Sequence, residues 1–218
     1  MTIKELTLLS DNLAETKQFY TRILGLSIVS EETSTLSFAA GTTLLCFEKS
    51  TNLRPRYHFA FNIPYISVMD AFSQMSNNVD LLPISESSKL ADFVNWNAKS
   101  FYFYDNNGNI LEFIGRNDLP DGDKISFDSS FILSVSEIGL PVENVKDECE
   151  KLITEYRLGY FAKQPPSDTF SVIGQDTGLL IIVPVGRNWY PTNNHPAEAF
   201  KIKVVFLNAE REVTLLYE

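Results

Sequence analysis

The chain is poor in cysteine, in histidine and in positive charge. Its 218 residues hold two cysteines and two histidines, and 18 lysines and arginines face 28 aspartates and glutamates, a formal net charge of -10. Cys46 lies in an apolar run that reads as strand and Cys149 on a helical stripe, with no CxxC pair and no disulfide framework, so both read as core thiols. The acidic balance and the absence of a basic cluster disfavour a nucleic-acid partner, because binding to a phosphate backbone rests on lysine and arginine displacing counterions. No apolar run approaches the roughly 20 residues that cross a bilayer, and Met1-Thr2-Ile3-Lys4-Glu5 lacks the charged-then-apolar order of a signal peptide. The expectation is a cytoplasmic protein with no membrane partner. GxGxxG, GxxxxGK[ST] and GxSxG are also missing, which removes the motif support for dinucleotide, P-loop and α/β-hydrolase chemistry.

What is present is 44% hydrophobic residues, enough for one large domain or two small ones, and an internal repeat. A short alternating strand, a turn or cap seven residues after its first residue, and an amphipathic helix recur from Glu5, His58 and Glu137. In the first copy Glu5 to Leu9 is the strand, Asn12 caps a helix with Glu15 three residues on, and Leu13, Thr16, Phe19, Tyr20 and Ile23 form its stripe up to Gly25. In the third, Asn144 is the cap, Val145, Cys149, Leu152, Ile153 and Tyr156 the stripe, and Gly159 the stop. The second is looser, with His58 to Ile63 as strand, Pro64 and Tyr65 in the turn, and Val68, Met69, Phe72 and Met75 as stripe.

Short strand-like runs follow each helix: 26–30, 35–40 and 43–48 in the first copy; 100–104 and 109–114 around an Asp105-Asn106-Asn107-Gly108 turn in the second; 160–163, 169–173 and 179–183 in the third; and a remnant of a fourth at 201–207 and 212–217. This predicts an α+β protein of repeated βαβββ modules forming a cupped mixed sheet with helices on the outer face. Residues 1–116 are expected to hold a pair of modules, 117–130 a linker rich in Asp and Ser, and 131–218 a third, degenerate module used for packing or for a homodimer contact.

Strand side chains alternate between faces. Leu6 and Leu8 therefore oppose Glu5 and Thr7; Phe59, Phe61 and Ile63 oppose His58, Ala60 and Asn62; Leu111 and Phe113 oppose Ile110, Glu112 and Ile114. The apolar sets suit the helix side, which leaves Glu5, His58 and Glu112 on the other. Two carboxylates and an imidazole would suit a divalent ion with open coordination positions; glutamates facing solvent are the competing account.

Three segments resemble the vicinal-oxygen-chelate group, which spans glyoxalases, fosfomycin- and bleomycin-resistance proteins and extradiol dioxygenases. ELTLLSDNLAETKQFYTRILGL at 5–26 looks like the opening of such a module, YHFAFNI at 57–63 like its second-module strand, and SFYFYDNNGNILEFIGR at 100–116 like its closing hairpin. The resemblance covers the first 116 residues well and the rest weakly. It implies a metal held by the first residue of each opening strand and the glutamate of the last, which places it on Glu5, His58 and Glu112, with Glu5 standing where relatives carry His or Gln. The ion implied is Mn²⁺, Fe²⁺, Mg²⁺ or Zn²⁺.

Around that cup, Thr7 and Asn62 share the proposed metal face, Arg56 (with Arg54) precedes His58 and could receive an anionic group, and Trp96, Tyr102 and Tyr104 offer stacking walls or core packing. His195, in a proline-flanked polar loop, reads as surface, and Trp189 and Tyr190 as cover for the third module's edge. Two functions follow from the resemblance: a metal-dependent lyase or isomerase, thiol transferase or ring-cleaving dioxygenase acting on a small molecule, or a metal-free protein that sequesters a hydrophobic compound. No catalytic residue is assigned.

Overall fold

The computed structural model describes residues 1–120 and 131–218. The first copy of the repeat is β1 (Thr2–Ser10), α1 (Leu13–Arg22), β2 (Ser27–Glu31), β3 (Thr35–Ala40) and β4 (Thr43–Lys49). The second is β5 (His58–Ile63), a 3₁₀ turn at Tyr65–Ser67 running into α2 (Val68–Met75), then β6 (Ala91–Phe93), β7 (Ala98–Tyr104) and β8 (Ile110–Arg116). The third is β9 (Ser134–Val142), α3 (Val145–Tyr156), β10 (Ser171–Gln175) and β11 (Gly178–Pro184), and the remnant of the fourth is β12 (Ile202–Asn208) with β13 (Arg211–Tyr217). Where 160–163 is read as a strand, the backbone makes a single bridge, Tyr160 to Ile173, so the third copy is βαββ. Of the expected linker, 121–130 lies outside the described residues.

The helix signals act locally. Asn12 accepts from the Glu15 amide at 3.2 Å and donates back to the Glu15 carboxylate at 2.8 Å, a reciprocal cap worth about 1 kcal/mol. Asn144 accepts from the Lys146 and Asp147 amides at 3.0 and 3.2 Å. Two details differ from the sequence reading. Arg157, at φ +56°, terminates α3 in place of Gly159, and Asn208 donates to the carbonyls of Tyr156 and Arg157. Met69 is exposed, since the 3₁₀ turn rotates α2 so that Val68, Ala71 and Met75 are buried. The Asp105–Gly108 turn forms as expected: Asp105 accepts the amides of Asn107 and Asn109 at 2.9 Å and the Tyr20 hydroxyl at 2.8 Å, and Gly108 takes φ +79°.

Two mixed sheets result, ordered β13-β12-β1-β4-β3-β2 and β10-β11-β9-β5-β8-β7-β6. The α+β class holds, but the modules pair differently from the expectation for 1–116. The first module joins the remnant of the fourth, with β1 antiparallel to β12, and the second joins the third, with β5 antiparallel to β9. An opening strand exposes one edge after its own module is complete, and that edge is filled by a strand distant in sequence. One face of each sheet contributes to a single core that also takes in Tyr20, Met75 and Leu152 from the three helices; Leu6, Leu8, Phe38 and Phe47 enter it from the first sheet and Phe59, Phe61, Leu111 and Phe113 from the second. The opposite faces are two separate cups. Among the described residues no helix is long and apolar enough to cross a membrane.

Candidate metal centre

In the second sheet β5 runs between β8 and β9, and Ala60 is registered against Glu112 on one side and Glu137 on the other. His58 precedes Ala60 by two residues and shares its face. The small alanine leaves the space between the carboxylates open. One ligand atom each from His58, Glu112 and Glu137 lies within 4.8 Å of the others, and all three residues are buried. Opposite donors on one ion stand at most about 4.6 Å apart at bond lengths near 2.3 Å, so small side-chain rotations would close the set.

His58 donates from Nδ1 to the Ile110 carbonyl at 3.1 Å, which orients the ring and turns the Nε2 lone pair toward Glu112, 3.8 Å away. Burial lowers its pKa to about 4, with the Arg187 charge adding to the effect, so the imidazole is neutral at pH 7. Burial and the Glu137 charge raise Glu112 to about 8, and its buried Oε1 has no hydrogen-bond partner among the described residues. Glu137 is likewise raised by burial, opposed by its ion pair with Arg116. Arg116 is itself buried; its Nε donates to Asn62 Oδ1 at 3.2 Å, and Nη1 lies 3.8 Å from Asp176, which Lys163 contacts at 2.8 Å.

Two buried carboxylates this close cannot both ionise cheaply without a cation between them. An imidazole with a free lone pair, two carboxylates and an orphaned carboxylate oxygen are a donor set that a hard or borderline divalent ion fits. Three protein ligands would leave positions open, as a catalytic site requires.

Glu5 does not join this set. It lies in the first sheet, where Lys203 donates to it at 2.7 Å and Thr7 at 3.1 Å. Its place is taken by Glu137, the same repeat position in the third module, because β9 and not β1 is the partner of β5. Thr7 accompanies Glu5 in the first cup. Asn62 is buried but occupied by Arg116 and by the Asp176 carbonyl, to which it donates at 3.1 Å. Arg56 is exposed on the approach to β5, and Tyr104 stacks on His195 with centroids 5.0 Å apart; neither lines the second cup. Half-buried His195 bonds the Gly108 carbonyl through Nε2 at 3.1 Å. Trp96 and Tyr102 do line the cup.

The cup is a cavity of about 360 Å³ whose floor is His58, Glu112 and Glu137 and whose walls are mostly aromatic. Trp189 packs on His58 with centroids 5.2 Å apart, and Tyr190 meets Tyr102 edge-on at 5.6 Å. Gly139 makes room for this wall: a Cβ there would come within 2.4 Å of the Trp189 ring. The loop carrying Trp189 is tied across itself, Gly186 N–H to the Ala197 carbonyl and Ala197 N–H to the Arg187 carbonyl, both at 2.8 Å.

Residues 2–113, just over half of the chain, match the family described as the Glyoxalase/Bleomycin resistance protein/Dioxygenase superfamily. The chain belongs to that superfamily. Among solved structures, this superfamily member is similar to a protein of Bacillus subtilis described as a candidate dioxygenase, at 17% identity and a TM-score of 0.60 over 86% of this chain. The chain spans 65% of that protein's length. Weaker likenesses are a lactoylglutathione lyase from Agrobacterium tumefaciens (20% identity, 52% of this chain and 92% of that one, TM-score 0.43) and the fosfomycin resistance protein FosX from Listeria monocytogenes complexed with Mn(II) (20%, 52% and 87%, 0.41). No curated protein matches the chain by sequence. For this superfamily member the sequence reading missed Arg116, Glu137 and Arg187. Glu137 was legible as the third copy's opening residue; its partnership with β5 was not.

Proposed function

We propose that the second cup binds one divalent ion, Mn²⁺, Fe²⁺, Mg²⁺ or Zn²⁺, on His58 Nε2, Glu112 and Glu137, and that the protein turns over a small organic molecule there. The observation that carries this is the convergence of three buried residues, His58, Glu112 and Glu137, whose ligand atoms lie within 4.8 Å of one another. When bound, the ion supplies Lewis acidity toward neighbouring oxygens of the substrate. The chain's own groups prepare the site. The His58–Ile110 bond fixes the ring, Arg116 holds Glu137 in place, and Glu112 retains a proton at pH 7 until a cation takes its place. Tyr102, whose hydroxyl burial keeps protonated, and Trp189 limit water at the floor. The reading covers a metal-dependent lyase or isomerase, thiol transferase or ring-cleaving dioxygenase.

A metal-free binding protein is the second reading, favoured by one observation: Arg116 balances Glu137, and a protonated Glu112 leaves the floor neutral without an ion. Protein stripped with chelator and reconstituted with Mn²⁺ separates the two. One ion per chain, measured by elemental analysis and by loss of the free-Mn²⁺ resonance signal, supports the metalloenzyme; no uptake by the wild type sinks it in favour of sequestration.

A further inference from the structure

We infer that the second cup takes a planar aromatic ligand bearing an anionic group, with Arg187 as the residue that receives the anion and selects for it. The inference rests on the reading of this cup as a small-molecule site but not on whether the floor holds metal.

Every other cation near the floor has a carboxylate partner, although Arg116 Nη1, 3.8 Å from Asp176, makes no hydrogen bond among the described residues. Arg116 is matched by Glu137, Asn62 and Asp176, and Lys163 by Asp118 and Asp176 at 2.7 and 2.8 Å. Arg187 lines the same cavity and has no carboxylate within 4.0 Å among the described residues. Among the described residues its side chain makes one hydrogen bond, to the neighbouring Asn188 carbonyl at 3.4 Å, and its guanidinium lies over the Phe170 ring, 5.2 Å from the centroid. A partly buried guanidinium that rests on an aromatic ring and has no carboxylate partner among the described residues is suited to bidentate contact with a carboxylate or a similar oxyanion. Its backbone is fixed by the Ala197 N–H bond to the Arg187 carbonyl and by the Arg187 N–H bond to Pro184 at 3.2 Å. On a chain of net charge -10, one unbalanced cation in a cavity is a selective feature for anions.

The walls define the rest of the ligand. Trp96, Phe170, Trp189 and Tyr190 present rings to a cavity of about 360 Å³, room for a bicyclic molecule. Flat aromatic walls favour a flat aromatic guest over a saturated one of equal volume, because ring pairs attract one another beyond the gain from area burial.

The test is calorimetric titration of chelator-treated full-length protein with 2-naphthoate, its neutral isostere 2-naphthamide and the saturated decahydro-2-naphthoate. Wild type should bind naphthoate about 10- to 100-fold more tightly than the amide, the range of a charge-assisted pair, and more tightly than the decahydro acid. Arg187→Met should abolish the preference for the acid while leaving amide affinity within about threefold, and Arg187→Lys should restore part of it, a rescue that misfolding would not give. Equal affinity for acid and amide in the wild type, binding of neither, or a preference that survives in Arg187→Met overturns the inference. Because metal is stripped throughout, each of those results leaves the Mn²⁺ uptake measurement unaffected, and failure of Mn²⁺ uptake leaves the naphthoate result standing.

Discussion

The molecule carries the same strand geometry twice with opposite chemistry. In the second cup Ala60 is flanked in register by Glu112 and Glu137, with His58 two residues before it; in the first, Thr7 is flanked by Cys46 and Lys203, with Glu5 two residues before it. Glu5 thus stands where His58 does, Cys46 where Glu112 does and Lys203 where Glu137 does. The Lys203 ammonium neutralises Glu5 directly, so the first cup is complete without an ion. Covering differs as well. The side chains of Glu5 and Lys203 keep 26% and 37% of their exposure, against 8% and 3% for His58 and Glu112 under the loop of Trp189. A superfamily scaffold places residues at the site; their identity and their cover decide whether the position is reactive.

The sharpest way to break this contrast is to remove the cation from each cup. Arg116→Met leaves Glu137 buried and unpaired and should cost about 3–5 kcal/mol in urea unfolding. Lys203→Met, releasing a carboxylate that water can reach, should cost under about 1 kcal/mol. Comparable losses from the two would erase the distinction between them.

Metal uptake gives the next largest effect. His58→Ala and Glu112→Ala should each weaken Mn²⁺ binding by more than about 100-fold, beyond the 10- to 100-fold typical of residues one shell further out, while Glu5→Ala should leave it unchanged. Loss of Mn²⁺ binding in Glu5→Ala would place the ion in the first cup.

Glu112 also sets a pH signature. Its carboxyl is raised to about 8 in the folded protein from an ordinary 4.5, so the metal-free folded state binds more protons than the unfolded one between those values, and stability falls as pH rises through that window. Glu112→Gln removes that loss. Relative to wild type its unfolding free energy in urea titrations should improve progressively from pH 5 to pH 8, by an amount on the order of a few kcal/mol at the upper end. Added Mn²⁺ should reverse the wild-type trend, since ligation requires the deprotonated carboxylate. A constant difference between variant and wild type across that range would mean that Glu112 does not titrate as its burial dictates.

The smallest effect tests the wall. Gly139→Ala forces its new methyl group against Trp189 and should cost about 1–3 kcal/mol as an overpacked contact, with a change in near-ultraviolet dichroism from displacement of that indole. An unchanged spectrum would show that Trp189 does not rest on β9.

Local features could be read from the chain before any tertiary contact was known. Caps at Asn12 and Asn144 depend on amides two or three residues away, the Asp105 turn on its own backbone, and the facing of His58, Asn62 and Glu112 on the two-residue period of a strand. The repeat, and with it the superfamily resemblance, was legible for the same reason. Which modules meet was set by packing between distant segments. Strand alternation fixes the face a side chain occupies but carries no information about which strand fills an open edge 70 or more residues away, and here β9 reached β5 while β12 reached β1. That choice exchanged Glu5 for Glu137 at the candidate centre, buried Arg116 against it, and brought the loop of Arg187 and Trp189 over the cup, because burial, and the electrostatics that follow from it, belongs to the packed assembly of distant segments.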